Sequence, residues 1–108
     1  MISKDKNILV LAAMPQELEA FIAELDVRGG GYLGPFRYFV SDAAGGNTIY
    51  SALCGPGKVN SSACVVAFLS QRDMNIGFVL NTGTAGALAS GLRKGDIVVG
   101  SRYCQHDY

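Results

Sequence analysis

The chain is predicted to be an α/β protein with layered helices and a mixed sheet. Three observations lead there. Apolar runs of strand length alternate with stretches of helical periodicity. The first run, Asn7 to Ala13 (NILVLAA), is almost continuously apolar, as in a strand buried on both faces of a parallel sheet. Two later β-rich runs flank a turn-forming segment, the pattern of an antiparallel hairpin.

The elements follow in order. Asn7 to Ala13 is the first strand. Pro15 then stands where helices begin, because its missing N–H costs nothing in the first turn. Leu18, Phe21, Ile22 and Leu25 recur at i, i+3, i+4 and i+7, so a helix with one apolar stripe is expected. Gly29, Gly30 and Gly31 are expected to break the pattern. Leu33 to Val40 and Thr48 to Leu53 are the hairpin strands, with Asp42 to Asn47 (DAAGGN) between them. Gly55-Pro56-Gly57 marks a sharp turn. Lys58 to Arg72 is expected as a second helix, with Ser61, Ser62, Ala63 and Ala67 small enough for close packing on a sheet. Ile76 to Leu80 is a further buried strand, followed by the turn Asn81 to Gly86 (NTGTAG), and Asp96 to Gly100 is the last strand. Arg102 to Tyr108 carries no helix cap or polar tail and looks like an interrupted element. Residues 1–108 are therefore expected to be one partial domain, the front part of a larger one.

Composition narrows the function. Net charge is 0 and 17 % of residues are charged, which lacks the clustered excess of Lys and Arg that nucleic acid demands. No run approaches the ~20 apolar residues of a membrane helix, and no signal peptide is recognisable. The chain is expected to be soluble and cytoplasmic. Cys54, Cys64 and Cys104 form no Cys-x-x-Cys pair and there is one histidine, so a zinc site is not expected. The cysteines suit small buried hydrophobes in a reducing compartment. No cofactor is implied.

In open α/β sheets, ligands sit beyond the carboxyl ends of the strands. Met14 and Glu17 follow the first strand, Asn81 to Gly86 follows the strand ending at Leu80, and His106-Asp107 follows the last. Glu17 can serve as a general base holding a water, or simply as a first-turn carboxylate favoured by the helix dipole. Thr84, Ala85 and Gly86 can offer backbone N–H groups and a hydroxyl to a sugar or an anion, or form a plain turn. Gly55-Pro56-Gly57-Lys58 precedes a helix but fails the phosphate-loop pattern: position 52 is Ala, and Val59 follows the lysine. No serine-hydrolase motif accompanies the histidine.

Taken together, Ala12 to Glu19 (AAMPQELE), Gly55 to Asn60 (GPGKVN), Asn81 to Gly86, Gly95 to Val99 (GDIVV) and Gln105-His106-Asp107 resemble the 5′-methylthioadenosine/S-adenosylhomocysteine nucleosidases of the nucleoside phosphorylase/hydrolase superfamily. The resemblance covers nearly the whole chain and about the first half of a family member. It implies a three-layer α/β/α fold, a homodimer, and hydrolysis of the N-glycosidic bond of 5′-methylthioadenosine and S-adenosylhomocysteine. It places the water-binding catalytic Glu at Glu17, the ribose- and water-side Met at Met14, and the pocket turn at Thr84, Ala85 and Gly86. It puts Pro56 in the alkylthio subsite, where the family frequently has Ile. The leaving-group Asp and the ribose-clamping Glu of the family fall beyond Tyr108, so the chain alone is expected to be inactive. Two alternatives stand beside this: a nucleoside phosphorylase of the same superfamily, for which no arginine sits in a loop like a phosphate cradle though Arg102 is near the candidate pocket, and a non-catalytic nucleoside-binding half.

Overall fold

The computed structural model describes residues 5–107. Five strands make one sheet in the order β2-β3-β4-β1-β5. The strands are β1 (Asn7–Ala12), β2 (Val27–Leu33), β3 (Phe36–Asp42), β4 (Thr48–Leu53) and β5 (Ile76–Asn81). The helices are α1 (Pro15–Ala23) and α2 (Lys58–Leu69), and a short 3-10 turn covers Arg72–Met74. β1 is parallel to both β4 and β5, whereas β2, β3 and β4 are antiparallel neighbours, so the sheet is mixed.

The alternation of β1 builds the layers. Leu9 and Leu11 face one side with Ala52 and Cys54, where Cys64 and Phe68 of α2 close over them. Val10 and Ala12 face the other side with Ile49, where Leu18 of α1 packs. The two helices therefore cover opposite faces of β1 and β4, giving three layers. Pro15 occupies the first turn of α1 as expected. Leu25 lies past the helix end but still packs partly buried on the α1 side.

Four expectations are corrected. Gly29 to Gly31 do not break the chain; they run through β2, the outer strand. A Cβ on Gly30 would stand 2.5 Å from the Tyr38 carbonyl oxygen, so β3 approaches too closely for any side chain there. α2 ends at Leu69 rather than Arg72. It packs through Cys64 and Phe68, while Ser62 and Ala63 face outward. Ile76 to Leu80 does form a strand, but β5 is the sheet edge, and Phe78, Val79 and Leu80 are exposed. Asp96 to Gly100 is not a strand: no regular element follows β5 among the described residues. A strand exists only with a ladder partner, and Ile97 to Val99 pair with none among the described residues, leaving Ile97 92 % exposed.

Candidate active site

The carboxyl ends of β4, β1 and β5 lie side by side, and the segments leaving them converge. The carbonyl of Leu11 accepts from Thr82 N–H at 2.9 Å, and the carbonyl of Ala12 accepts from Cys54 N–H at 2.9 Å. The end of β1 is thereby fastened on one side to the loop after β5 and on the other to the turn after β4.

Glu17 sits at this junction because α1 starts two residues after β1. Its carboxylate turns back onto the strand-to-helix bend. One oxygen accepts from the N–H groups of Ala13 (3.0 Å) and Met14 (3.3 Å). The other accepts from the N–H and the hydroxyl of Thr84, both at 3.4 Å. Partial desolvation pushes the carboxyl up. The donors from Thr84, Ala13 and Met14 outweigh it and hold the group below the ordinary carboxylate range. Glu17 is therefore an anion at neutral pH, fixed by backbone groups from two different loops.

The structure thus brings Glu17 together with Thr84 and with the backbone of Met14, whose own side chain is exposed. Ala85 and Gly86 follow Thr84 in exposed, irregular backbone. Pro56 lies in the turn after β4, where Gly55 and Gly57 both take positive φ (81° and 97°) and the Pro56 carbonyl accepts from Asn60 Nδ2 at 2.8 Å. Between this turn and the end of β5 runs an open cleft of about 430 Å³, lined by Ala13, Cys54, Gly55, Lys58, Ser61 and Asn81, among others.

Two further groups belong to the neighbourhood. Lys58 Nζ meets both carboxylate oxygens of Asp107 at 3.0 and 3.1 Å, so the segment after β5 is tied back to the start of α2. Cys54 Sγ lies 3.4 Å from the Ala12 carbonyl and 3.2 Å from the Gly55 carbonyl, which share its single S–H as alternative acceptors, and burial pushes this thiol up. The Lys58–Asp107 pair escapes sequence reasoning because 49 residues separate its partners. The donors from Ala13 and Met14 are backbone groups and carry no residue-type signal.

Residues 7–108 match the Phosphorylase superfamily. The chain is 35 % identical over 101 residues to the 5′-methylthioadenosine/S-adenosylhomocysteine nucleosidase of Thermotoga maritima, a match that covers 94 % of this chain and 45 % of that protein. It is 36 % identical to the corresponding nucleosidase of Maridesulfovibrio salexigens, with 94 % and 42 % covered. Among solved structures, the Streptococcus pneumoniae nucleosidase bound to 8-aminoadenine superposes with a TM-score of 0.71 at 29 % identity, over 83 % of this chain and 39 % of that one. The Neisseria meningitidis enzyme in complex with methylthio-immucillin-A gives 0.69 at 31 % identity, over 82 % and 37 %. The chain thus spans less than half the length of the relatives it matches, and corresponds to their front part by sequence and by fold. It belongs to the phosphorylase superfamily.

Proposed function

We propose that this chain is the N-terminal part of a purine nucleosidase that hydrolyses the N-glycosidic bond of 5′-methylthioadenosine and S-adenosylhomocysteine, with Glu17 holding the attacking water. One observation carries the proposal: the Glu17 carboxylate is fixed at the carboxyl end of β1 by donors from both flanking loops. The names of the relatives support the substrate class.

The electrostatics refine the role of Glu17. A general base works best with a pKa near the working pH, and this carboxyl is held below its usual range. Toward an unreacted water it is only a weak base. Departure of a purine from ribose, however, leaves an oxocarbenium-like centre that needs only a weak nucleophile. Glu17 then orients a water toward a carbon that is already electron-poor, and as the C–O bond forms that water becomes strongly acidic and gives its proton to the Glu17 carboxylate. Thr84, Ala85 and Gly86 form the sugar-side wall, Met14 lies beside the water and Pro56 shapes the alkylthio end. Protonation of the leaving purine and clamping of the ribose hydroxyls fall to the length the relatives have beyond this match. The working form is a homodimer in the cytoplasm, serving nucleoside catabolism and methionine salvage.

The test is adenine release from 5′-methylthioadenosine by a polypeptide that carries residues 1–108 and supplies the remaining family length downstream. Glu17→Gln is expected to lower turnover by about 10²–10⁴-fold while nucleoside binding survives. Release is expected to be independent of phosphate, and residues 1–108 alone are expected to release none. A phosphate requirement would make the protein a phosphorylase. Unchanged turnover in Glu17→Gln would remove Glu17 from the chemistry.

A further inference from the structure

Gly83 lies between the end of β5 and Thr84, and its backbone does not explain why it is glycine. It is not among the residues with positive φ, so an alanine would meet no conformational strain there. The space beside it does explain it. A Cβ built on Gly83 has as its three nearest neighbours Oε1, Cδ and Oε2 of Glu17, at 3.3, 3.5 and 3.6 Å. The missing side chain is the room in which the carboxylate lies. By contrast, a Cβ on Gly86 or Gly91, in the same irregular segment, would meet nothing within 4 Å.

We infer that Gly83 is a positioning residue for Glu17: its bare backbone lets the carboxylate settle against the Thr84 amide and hydroxyl, and so sets where the held water stands. This rests on the proposed role of Glu17 and adds the residue that fixes its geometry. A methyl group at position 83 sits closer to Oε1 than ordinary van der Waals contact allows. The neighbour that must yield is the far end of a flexible side chain, not backbone, so the fold tolerates the change and the carboxylate moves. A shift of a few tenths of an ångström lengthens the Glu17 contacts with Thr84, which already stand at 3.4 Å, and the added methyl shields the carboxylate from water. Both effects disfavour the charged form.

The experiment uses the chain of residues 1–108 and follows the carboxyl carbon of Glu17 by NMR through an acid titration, in parallel with thermal unfolding. Gly83→Ala is expected to move the Glu17 midpoint upward with the melting temperature nearly unchanged. Gly91→Ala is expected to move neither. A double-mutant cycle guards against a purely structural effect: whatever Gly83→Ala costs in stability should vanish in a Glu17→Ala background, because the methyl then has nothing to displace. An unmoved midpoint in Gly83→Ala overturns the inference, and so does a stability cost that persists without the Glu17 side chain. Both readouts concern carboxylate geometry alone. A chain that passes them while the longer polypeptide fails to release adenine refutes the nucleosidase and leaves the positioning intact.

Discussion

β1 and β5 are written in nearly the same alphabet, NILVLA and IGFVLN, and they lie side by side as parallel partners, with one register shift between Asn7 and Ile8. Their surroundings differ completely. β1 has a strand on each side and a helix over each face, and Leu9 is fully buried. Among the described residues β5 has one neighbour and little covering, and Phe78, Val79 and Leu80 stay exposed. An apolar run thus specifies a strand, but the elements around it decide whether that strand is core. The same contrast governs the segments that leave the two strands. The bend after β1 is anchored by a helix and delivers Glu17 to a fixed place. The chain after β5 is held by Thr82 on Leu11, by Thr84 on Glu17 and by Asp107 on Lys58, with no regular element among the described residues.

The largest contrast should appear in thiol reactivity. Cys64 is completely buried under the β1 face and its thiol is pushed up to about 12 by burial. At pH 8 roughly one molecule in ten thousand then carries the reactive thiolate. Cys104, in the segment after β5, is exposed. A disulfide-exchange reagent is expected to label Cys104 more than about 100-fold faster than Cys64 in the folded chain. Comparable rates would mean that α2 does not close over β1 as described. Stability should then divide the two strands directly. Leu9→Ala opens a cavity between β1 and α2 and is expected to cost about 2–5 kcal/mol. Leu80→Ala removes a side chain that is 41 % exposed and is expected to cost less than about 1 kcal/mol in urea unfolding. Equal losses would show that β5 is covered in solution, and self-association through its edge would be the first place to look.

This division also shows how much was legible in the sequence. β1, α1 and β4 could be read because local pattern and tertiary demand agree there, whereas α2 was legible as a helix but not in its end or in the face it buries. The place of Glu17 was legible for the same reason, since Pro15 fixes the helix start. Gly29 to Gly31 misled because glycine is a turn signal by propensity, and the close approach of the Tyr38 backbone that selects it is a tertiary fact. Ile97 to Val99 misled in the opposite sense: the β-branched pattern is present, but a ladder needs a second strand. Within the site, the contact between Thr84 and Glu17 crosses 67 residues, and the donors at Ala13 and Met14 come from the main chain. Residue type in the sequence reports neither.

The contact between Glu17 and Thr84 is where the regular layers meet the irregular segment, and acid should loosen it. The carboxyl is held below its unfolded value, so its contribution to stability is present above the ordinary carboxylate range. That contribution fades as the pH falls through that range, and it is gone once the pH drops below the folded value. Glu17→Gln has no such proton to take up. The wild-type chain should therefore be the more stable of the two at neutral pH, and the difference should shrink toward acid, by less than the loss expected for Leu9→Ala. Amide exchange adds the location: Thr84 should lose protection over the same pH window, while the amides of β1 keep theirs. If the protection factor of Thr84 is already unity at pH 7, or does not fall in acid, the loop after β5 does not rest on Glu17. The two strands then end in separate places rather than in one site.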